Sequence, residues 1–339
     1  MNEVPAPPQP RPKALVRLAW LYAAVLAGML AIRFGAGDGS AWWFASNALL
    51  LYGFLPLPLV LVIGIFARRR DLLLVVAFAG AVWAYLWGGL FVPRAAANTA
   101  PRTITVLTYN VLGYNSDGQD AVRVIHDSGA DLVVLNELNP QKAEAIEREL
   151  AIFYPYRWLE PRVGVRGAGI LSKFRFERVE PRPLHGLPLV GEPMAIAFNV
   201  EKQRVTLLGF HAPAGPPHFR DRERVAQGLA DYARTRNGPL ILAGDLNATD
   251  QNTAYALIRA AARDAWREVG SGFGHTFPGP PTPKEGGSRP VLLGVPAPLW
   301  LVRIDYVFHS DELEAVDARL SAGSSGSDHR GVIATLALR

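Results

Sequence analysis

Three uncharged apolar runs fill most of the first ninety residues: 18–32 (LAWLYAAVLAGMLAI), 41–66 (AWWFASNALLLYGFLPLPLVLVIGIF) and 72–92 (LLLVVAFAGAVWAYLWGGLFV). A helix that crosses a bilayer needs about 20 apolar residues. The second and third runs meet that length outright, and the first does so when extended to Phe34. A signal peptide followed by a buried core accounts for only one run, and no small-residue cleavage site precedes the second. The expectation is three transmembrane helices within 14–93, after a cytoplasmic tail at 1–13. Pro56 and Pro58 predict a kink in the second helix, since proline donates no backbone hydrogen bond.

The positive residues set the orientation. Arg11, Lys13 and Arg17 precede the first run, and Arg68, Arg69 and Arg70 fill the turn between the second and third. The connection after Arg33, around GAGDGS, has no lysine or arginine. The positive-inside rule then puts the N-terminus and the triple-arginine turn in the cytoplasm. Three crossings leave everything after Val92 outside it: a multi-pass protein of the inner or plasma membrane with an extracytoplasmic C-terminal part.

The formal charge of +5 says little about that C-terminal part. Residues 1–93 hold seven basic and three acidic residues, leaving 28 and 27 in the rest. Duplex-binding surfaces carry a strong basic excess, which is missing here. There is no cysteine, so disulfide and thiolate chemistry are excluded.

Residues 94–102 (RAAANTAPR) read as a linker to a domain at 103–339. From Thr103 short β-branched runs alternate with amphipathic stretches. Strands are expected at 103–111, 131–138, AGILSKF, MAIAFNV, RVTLLGFHA, 239–248, 303–310 and 331–338, and helices at 119–128, 140–151, 222–236 and 252–267. This mixture predicts an α/β fold with a mixed-sheet sandwich and helices outside.

Several of the strands end on a carboxylate, amide or imidazole: Asn110, Glu137, His211, and Asp245 with Asn247. Asp305 sits inside the apolar RIDYVF, where an unpaired charge is costly. Asp328 and His329 precede the last strand, in SGSDHRGV (325–332). Singly, an asparagine or aspartate at a strand end is a turn or capping residue. Together these residues line one rim of a sheet, where ligand sites form. Oxygen ligands without cysteine suit a hard cation such as Mg²⁺ or Mn²⁺. Histidines suit proton transfer and phosphate contact. The set points to metal-assisted phosphoester hydrolysis. No G-x-S-x-G, H-E-x-x-H or GxxxxGK[ST] pattern supports acyl transfer, a zinc protease or a P-loop.

TYNVL, LNEL, GAGILSK, GFHAPAG, GDLNA, RIDYVF and SDHRGV, in this order, resemble the endonuclease/exonuclease/phosphatase superfamily over roughly 103–339. The resemblance implies a four-layer α/β/β/α sandwich with its site at one end of the two sheets. It implies Glu137 as the principal metal ligand with Asn110 beside it, and Asp245 and Asn247 holding the attacking water and the scissile phosphate. His329 becomes the acid/base histidine polarised by Asp305. Asp328 contributes to the metal site or its surroundings, and His211 contacts a phosphate oxygen. Leu112 stands where apurinic endonucleases carry an acidic residue, which argues against that assignment. The histidine of GFHAPAG is closer to the deoxyribonuclease and sphingomyelinase branches.

Three functions remain open at this level. They are a membrane-tethered hydrolase of a lipid headgroup or small phosphoester, a membrane-tethered nuclease, and an inactive sandwich serving as a binding module. Retention of every matched residue type argues against the last. Arg157, Arg162 and Arg166 are candidates for phosphate contacts. In 270–302 a Gly/Pro-rich stretch runs into VLLGVPAPLWLV. Leu292, Leu293, Leu299 and Trp300 are expected either to touch the bilayer or to pack as an edge strand.

Overall fold

The computed structural model describes residues 13–92, 102–114 and 118–339. All but Lys13 of the expected tail and all but Arg102 of the expected linker lie outside the described residues, as does the side chain of Leu292.

The first apolar run forms helix α1 (Lys13–Ala31), which continues through a π-helical turn to Ala36. The third forms α5 (Arg70–Trp87) and runs on as a 3₁₀ turn to Phe91. These two are long and apolar enough to cross a membrane. The second run does not form the expected single helix kinked at its prolines. It breaks into α2 (Ala41–Ala48), α3 (Leu50–Gly53) and α4 (Leu57–Phe66). The segment Leu50–Phe66 is bent by 67° from α2. The main bend falls at Leu49, not at the prolines. Pro56 and Pro58 produce only a tightened turn, closed by bonds such as Phe54 N–H to Leu51 O and Leu57 N–H to Phe54 O.

The long segments run alternately up and down. Ala19 packs with Val60 and Leu72 at one end. Leu26 and Leu30 join Leu50, Phe54, Leu86 and Trp87 at the other. The start of α1 and the Arg68–Arg70 turn therefore share one end, and residues 33–50 and 86–91 share the opposite one. Outward side chains such as Leu21, Phe66, Leu74 and Phe78 are exposed, as on helices made for an apolar surrounding.

From Thr103 the chain builds β1 (Thr103–Asn110), α6 (Gly118–Ser128), β2 (Leu132–Asn136), α7 (Pro140–Leu150), β3 (Tyr156–Glu160) and β4 (Ala168–Ser172). There follow β5 (Phe176–Val179), β6 (Met194–Val200), β7 (Gln203–His211), α8 (Phe219–Thr235), β8 (Leu240–Asp245), α9 (Thr253–Arg259), β9 (Arg263–Asp264) and α10 (Ala265–Val269). The hairpin β10 (Val291–Leu292) and β11 (Val295–Pro296) precedes β12 (Asp305–His309), β13 (Leu313–Leu320) and β14 (Val332–Leu338). The helix expected over 252–267 is interrupted. Asp264 pairs through β9 with Phe308 and then caps α10 through the Trp266 N–H.

The strands form two six-stranded sheets, β13-β14-β1-β2-β4-β3 and β5-β6-β7-β8-β12-β9. Each has one parallel pair at its centre, β1 with β2 and β7 with β8. Alternation of side chains along each strand divides the apolar residues between two faces. Val106, Val134, Leu207 and Ile241 meet between the sheets. Leu107, Val133 and Leu135 face α6 and α7, and Leu208, Leu242 and Phe308 face α8 and α9. The result is the expected sandwich of helix, sheet, sheet and helix.

The apolar helices are joined to the sandwich by a buried polar seam. Asp38, nearly inaccessible, accepts from the Asn47 amide (2.7 Å), the Asn252 amide (3.1 Å) and the Thr253 N–H (2.8 Å). Asn252 also donates to the Phe44 carbonyl (3.0 Å), and the Arg222 guanidinium lies 4.1 Å from the centre of the Phe44 ring. The Tyr52 hydroxyl donates to Leu301 O (2.6 Å), and the Gly272 N–H to Leu90 O (2.8 Å). A hydrogen-bonded seam of this kind holds α2 against the sandwich while α3 turns away, which accounts for the bend at Leu49.

Candidate active site

Strand direction brings the polar residues together. β1 and β2 are parallel, so Asn110 and Asn136 pair at the same end. β7 and β8 are parallel, so His211 pairs with Asp245 at theirs. β12 is antiparallel to β8 and begins where β8 ends, which sets Asp305 opposite Asp245. The two ends meet across the sandwich, where the Asn110 amide donates to both Glu137 Oε1 (3.0 Å) and Asp245 Oδ2 (3.2 Å).

The chain turns sharply after these strands. Leu112, Glu137 and Asn247 all have positive φ, at 61°, 60° and 51°. Side-chain-bearing residues rarely adopt this region, and such strain gathers at functional sites. Here it is held by local bonds. Glu137 Oε2 accepts from the Gly113 N–H (3.0 Å), and Asp245 Oδ1 from the Asn247 N–H (2.8 Å). The buried Lys142 ammonium ties down the carbonyls of Val111 and Leu112. Gly113 is needed for close approach, since a Cβ there would lie 2.0 Å from Gly164 O.

A cavity of about 480 Å³ opens onto these groups. Glu137, Asp245, Asn247, Asp328 and His329 form its polar wall. Phe44 and Ala48 of α2, with Phe277 and Ile304, are apolar residues of the same lining. Asn110, His211 and Asp305 stand behind the polar wall, nearly or wholly buried. His329 Nδ1 lies 2.9 Å from Asp305 Oδ2, and its Nε2 lies 3.9 Å from Asp245 Oδ2. His211 Nε2 is 3.6 Å from Asp245 Oδ2 and 3.4 Å from the Asn247 amide. Asp328 accepts the Ser288 N–H (2.8 Å) and is 4.0 Å from His329 Nε2. All eight expected residues therefore gather at one end of the sandwich.

Burial of carboxylates with few cations nearby raises their proton affinity. Asp245 is pushed up to about 8, by burial first and by the neighbouring Asp305 second. Glu137 is also raised by burial, against the opposing bonds from Gly113 and Asn110. Burial alone would lower His329, but the Asp305 and Asp245 carboxylates outweigh it and hold the imidazole well above its ordinary value. His211 falls to about 3, through burial and then the charge of His329, so it is neutral.

Two raised carboxylates on one cavity wall are what a hard cation would relieve, and their oxygens with the Asn110 amide are suitable donors. Asp245, Asp305 and His329 have ligand atoms within 4.8 Å of one another. However, His329 Nδ1 and Asp305 Oδ2 are already engaged with each other at 2.9 Å. The Glu137 side of the cavity is the better fit.

The arginines divide differently. Arg157 donates to the carbonyls of Ala151 and Tyr154 and is a structural brace. Arg162 and Arg166 line a separate cavity of about 620 Å³ with Glu160 and Glu192. Residues 291–296 form the β10–β11 hairpin rather than an edge strand of either six-stranded sheet, and its Leu293 is 96% exposed.

Four neighbours escaped the sequence reading. Asn136 accepts from the Asp245 N–H (3.3 Å) and donates to Phe210 O (3.0 Å), crossing between the sheets. Ser327 donates to Asn110 O (2.7 Å) and accepts from the His329 N–H (3.0 Å). The Phe277 ring lies 5.0 Å from that of His329. Asn136 and Ser327 adjoin residues already singled out, which was a usable signal. Phe44 lies at least 66 positions from each of the eight expected residues, and nothing in its surroundings points here.

The Endonuclease/Exonuclease/phosphatase family matches residues 107–329. TDP2 of D. rerio, solved with a single-strand DNA product, is similar at 17% identity and a TM-score of 0.53, covering 69% of this chain and 98% of that one. A functionally unknown conserved protein from Enterococcus faecalis is similar at 16% identity and a TM-score of 0.52, covering 70% and 100%. An endonuclease/exonuclease/phosphatase from Bacteroides vulgatus gives 17% and 0.51, covering 70% and 100%. These likenesses concern the fold. No protein of curated function matches the chain.

Proposed function

Since the chain belongs to the endonuclease/exonuclease/phosphatase family, whose members hydrolyse phosphoester bonds, we propose that it is a divalent-metal-dependent phosphoester hydrolase tethered to a membrane, with its site outside the cytoplasm. The observation that carries the chemistry is the single cavity wall on which Glu137, Asp245, Asn247 and the Asp305-backed His329 converge.

The roles follow from position. Glu137, with Asn110 and Asp328 beside it, would hold Mg²⁺ or Mn²⁺, which would supply charge neutralisation at the phosphate. Asn247 lines the cavity, its amide donating to the Ala212 carbonyl (3.0 Å) and Asp245 Oδ2 (3.3 Å) while its N–H fixes Asp245 Oδ1. Asp245 takes the proton of the attacking water as its oxygen bonds to phosphorus. Nε2 of His329 donates a proton to the ester oxygen as the phosphorus–oxygen bond breaks, and Asp305 holds the ring and its charge. The neutral His211 braces Asn247 and Asp245 from behind.

The membrane reading rests on three features. Two helices have spanning length, and Leu50–Phe66, at about 1.5 Å per residue, adds roughly 25 Å antiparallel to both. The basic residues cluster at the end away from the sandwich. Trp42, Trp43 and Tyr85, partly or largely exposed, ring the near end, where interfacial aromatics belong. Read this way, 1–13 is a cytoplasmic tail, 14–93 the membrane region and 103–339 the catalytic domain.

The test is hydrolysis of bis(p-nitrophenyl) phosphate and p-nitrophenyl phosphate by the full chain in micelles with Mg²⁺. Turnover abolished by EDTA and restored by Mg²⁺ or Mn²⁺ supports the reading. No turnover, or turnover indifferent to EDTA, refutes it.

A further inference from the structure

Part of the apolar lining of the catalytic cavity comes from α2, a piece of the membrane region. Phe44 and Ala48 share that lining with the catalytic carboxylates, while Trp42 on the same helix is 84% exposed. The helix is thus a partition, with the reactive cavity on one side and the interfacial aromatics on the other. The seam of Asp38, Asn47, Asn252 and Thr253 fixes it there.

The cavity does not end at α2. Ala48, Thr249 and Val302 are shared with a narrow gap of about 30 Å³, which reaches Leu51, Phe273 and His275. Those three also line a groove of about 490 Å³ with Tyr52, Phe54 and Trp83. The groove is almost wholly apolar and lies between α3, α5 and the 273–275 loop. Its walls are the helices of spanning composition. The gap still carries Asp250, Gln251 and Arg303, and beyond it the lining is aliphatic and aromatic apart from His275 and Tyr52.

We infer that the substrate is a membrane lipid phosphoester, whose phosphate enters the Glu137–His329 cavity while an acyl chain lies in the groove bounded by Phe54, Trp83 and Phe273. This rests on the hydrolase reading above and adds the substrate class. A polar head and an apolar tail in one molecule match the order of linings. A nucleic acid, charged along its whole length, would leave the apolar groove between α3 and α5 unused. Burying chain methylenes in the groove contributes to affinity, so the acylated ester is preferred over the same headgroup without chains. The exposed Val291, Leu293 and Val295 of the β10–β11 hairpin, on the same loop as the Tyr52-bonded Leu301, give the sandwich a second apolar foothold at the bilayer.

The test uses the full chain in nanodiscs with Mg²⁺. It compares dioleoyl phosphatidylcholine, phosphatidylglycerol and phosphatidic acid with their deacylated glycerophospho counterparts, p-nitrophenyl esters and single-stranded DNA. At least one acylated ester is expected to exceed its deacylated counterpart in kcat/KM at least tenfold. Gly80 lines the groove, and a Cβ added there meets nothing within 4 Å. Gly80→Leu therefore projects into the groove, and the ratio of lipid to p-nitrophenyl ester turnover should fall at least tenfold. A diazirine-acyl phosphatidylcholine should label Phe273, which belongs to the sandwich loop and not to the apolar helices, and Gly80→Leu should suppress that label. If p-nitrophenyl esters are cleaved but acylation brings no advantage, or DNA is the better substrate, or Phe273 stays unlabelled, the lipid assignment falls while the hydrolase reading stands. If no phosphoester is cleaved, both fall.

Discussion

Nδ1 of His329 lies 2.9 Å from Oδ2 of Asp305, with both side chains buried and the other imidazole nitrogen turned toward Asp245. His329→Ala and Asp305→Asn should each lower kcat by about 10²–10⁴, the usual range for a lost acid–base group. The two act as one unit, so the double variant should be little worse than the worse single. Multiplicative losses in steady-state kinetics would assign them separate roles.

Glu137 reaches the cavity at positive φ, with its oxygens held by Asn110 and Gly113. If it holds the cation, Mg²⁺ should raise the melting temperature of the wild-type protein in micelles, because a ligand that binds only the folded state stabilises it. Glu137→Gln should abolish most of that rise while remaining folded. An equal rise in both proteins would move the cation elsewhere.

Asp38 satisfies two buried amides and a backbone N–H at the seam. Asp38→Ala should cost about 1–3 kcal/mol for each group left unsatisfied. Differential scanning calorimetry should show this as a drop of about 2–4 °C per kcal/mol. Loss of lipid turnover should exceed loss of p-nitrophenyl ester turnover, because α2 is freed from the cavity. Wild-type stability and substrate ratio would show that the seam is not what holds α2.

The basic end of the helical region lies opposite the sandwich. A reporter active only outside the cytoplasm should work when fused after Arg339. One active only in the cytoplasm should work when inserted at the Arg68–Arg70 turn. The reverse pattern would invert the topology.

Glu268 joins His309 (3.0 Å), Arg263 (3.1 Å) and the Ala315 N–H beneath the second sheet. Burial works to raise its carboxyl, but the hydrogen bond and charge of His309, with Arg263, outweigh it and bring it to about 2. A carboxyl lowered on folding stabilises the folded state above its unfolded value of about 4.3, and that contribution is lost as pH falls through the folded one. Glu268→Gln should therefore be less stable than wild type at pH 6, with the gap closing between about pH 4.5 and 2 in denaturant titrations. A gap independent of pH would mean that packing, not charge, is responsible.

The sequence alone determined a good deal here. Uncharged runs and arginine placement fixed the location of the apolar helices, because hydropathy is local. Alternation and β-branching located most strands, and Asn110, Glu137, His211, Asp245 and Asp305 were visible as polar residues ending or interrupting them. Only the tertiary structure decided how those residues are used. Whether Asp305 backs His329, and which carboxylates burial raises, depends on strand pairing and on two sheet ends meeting at Asn110. Neither is encoded in any short window. The bend at Leu49 is the plainest case. The residues around it read as one continuous apolar run, and the break arises from Asp38 and Asn252, far apart in sequence, bonding across a seam. That bond sets α2 apart from the apolar helix that follows it and makes it part of the lining of the Glu137–His329 cavity, because a buried carboxylate must find its donors wherever the fold supplies them.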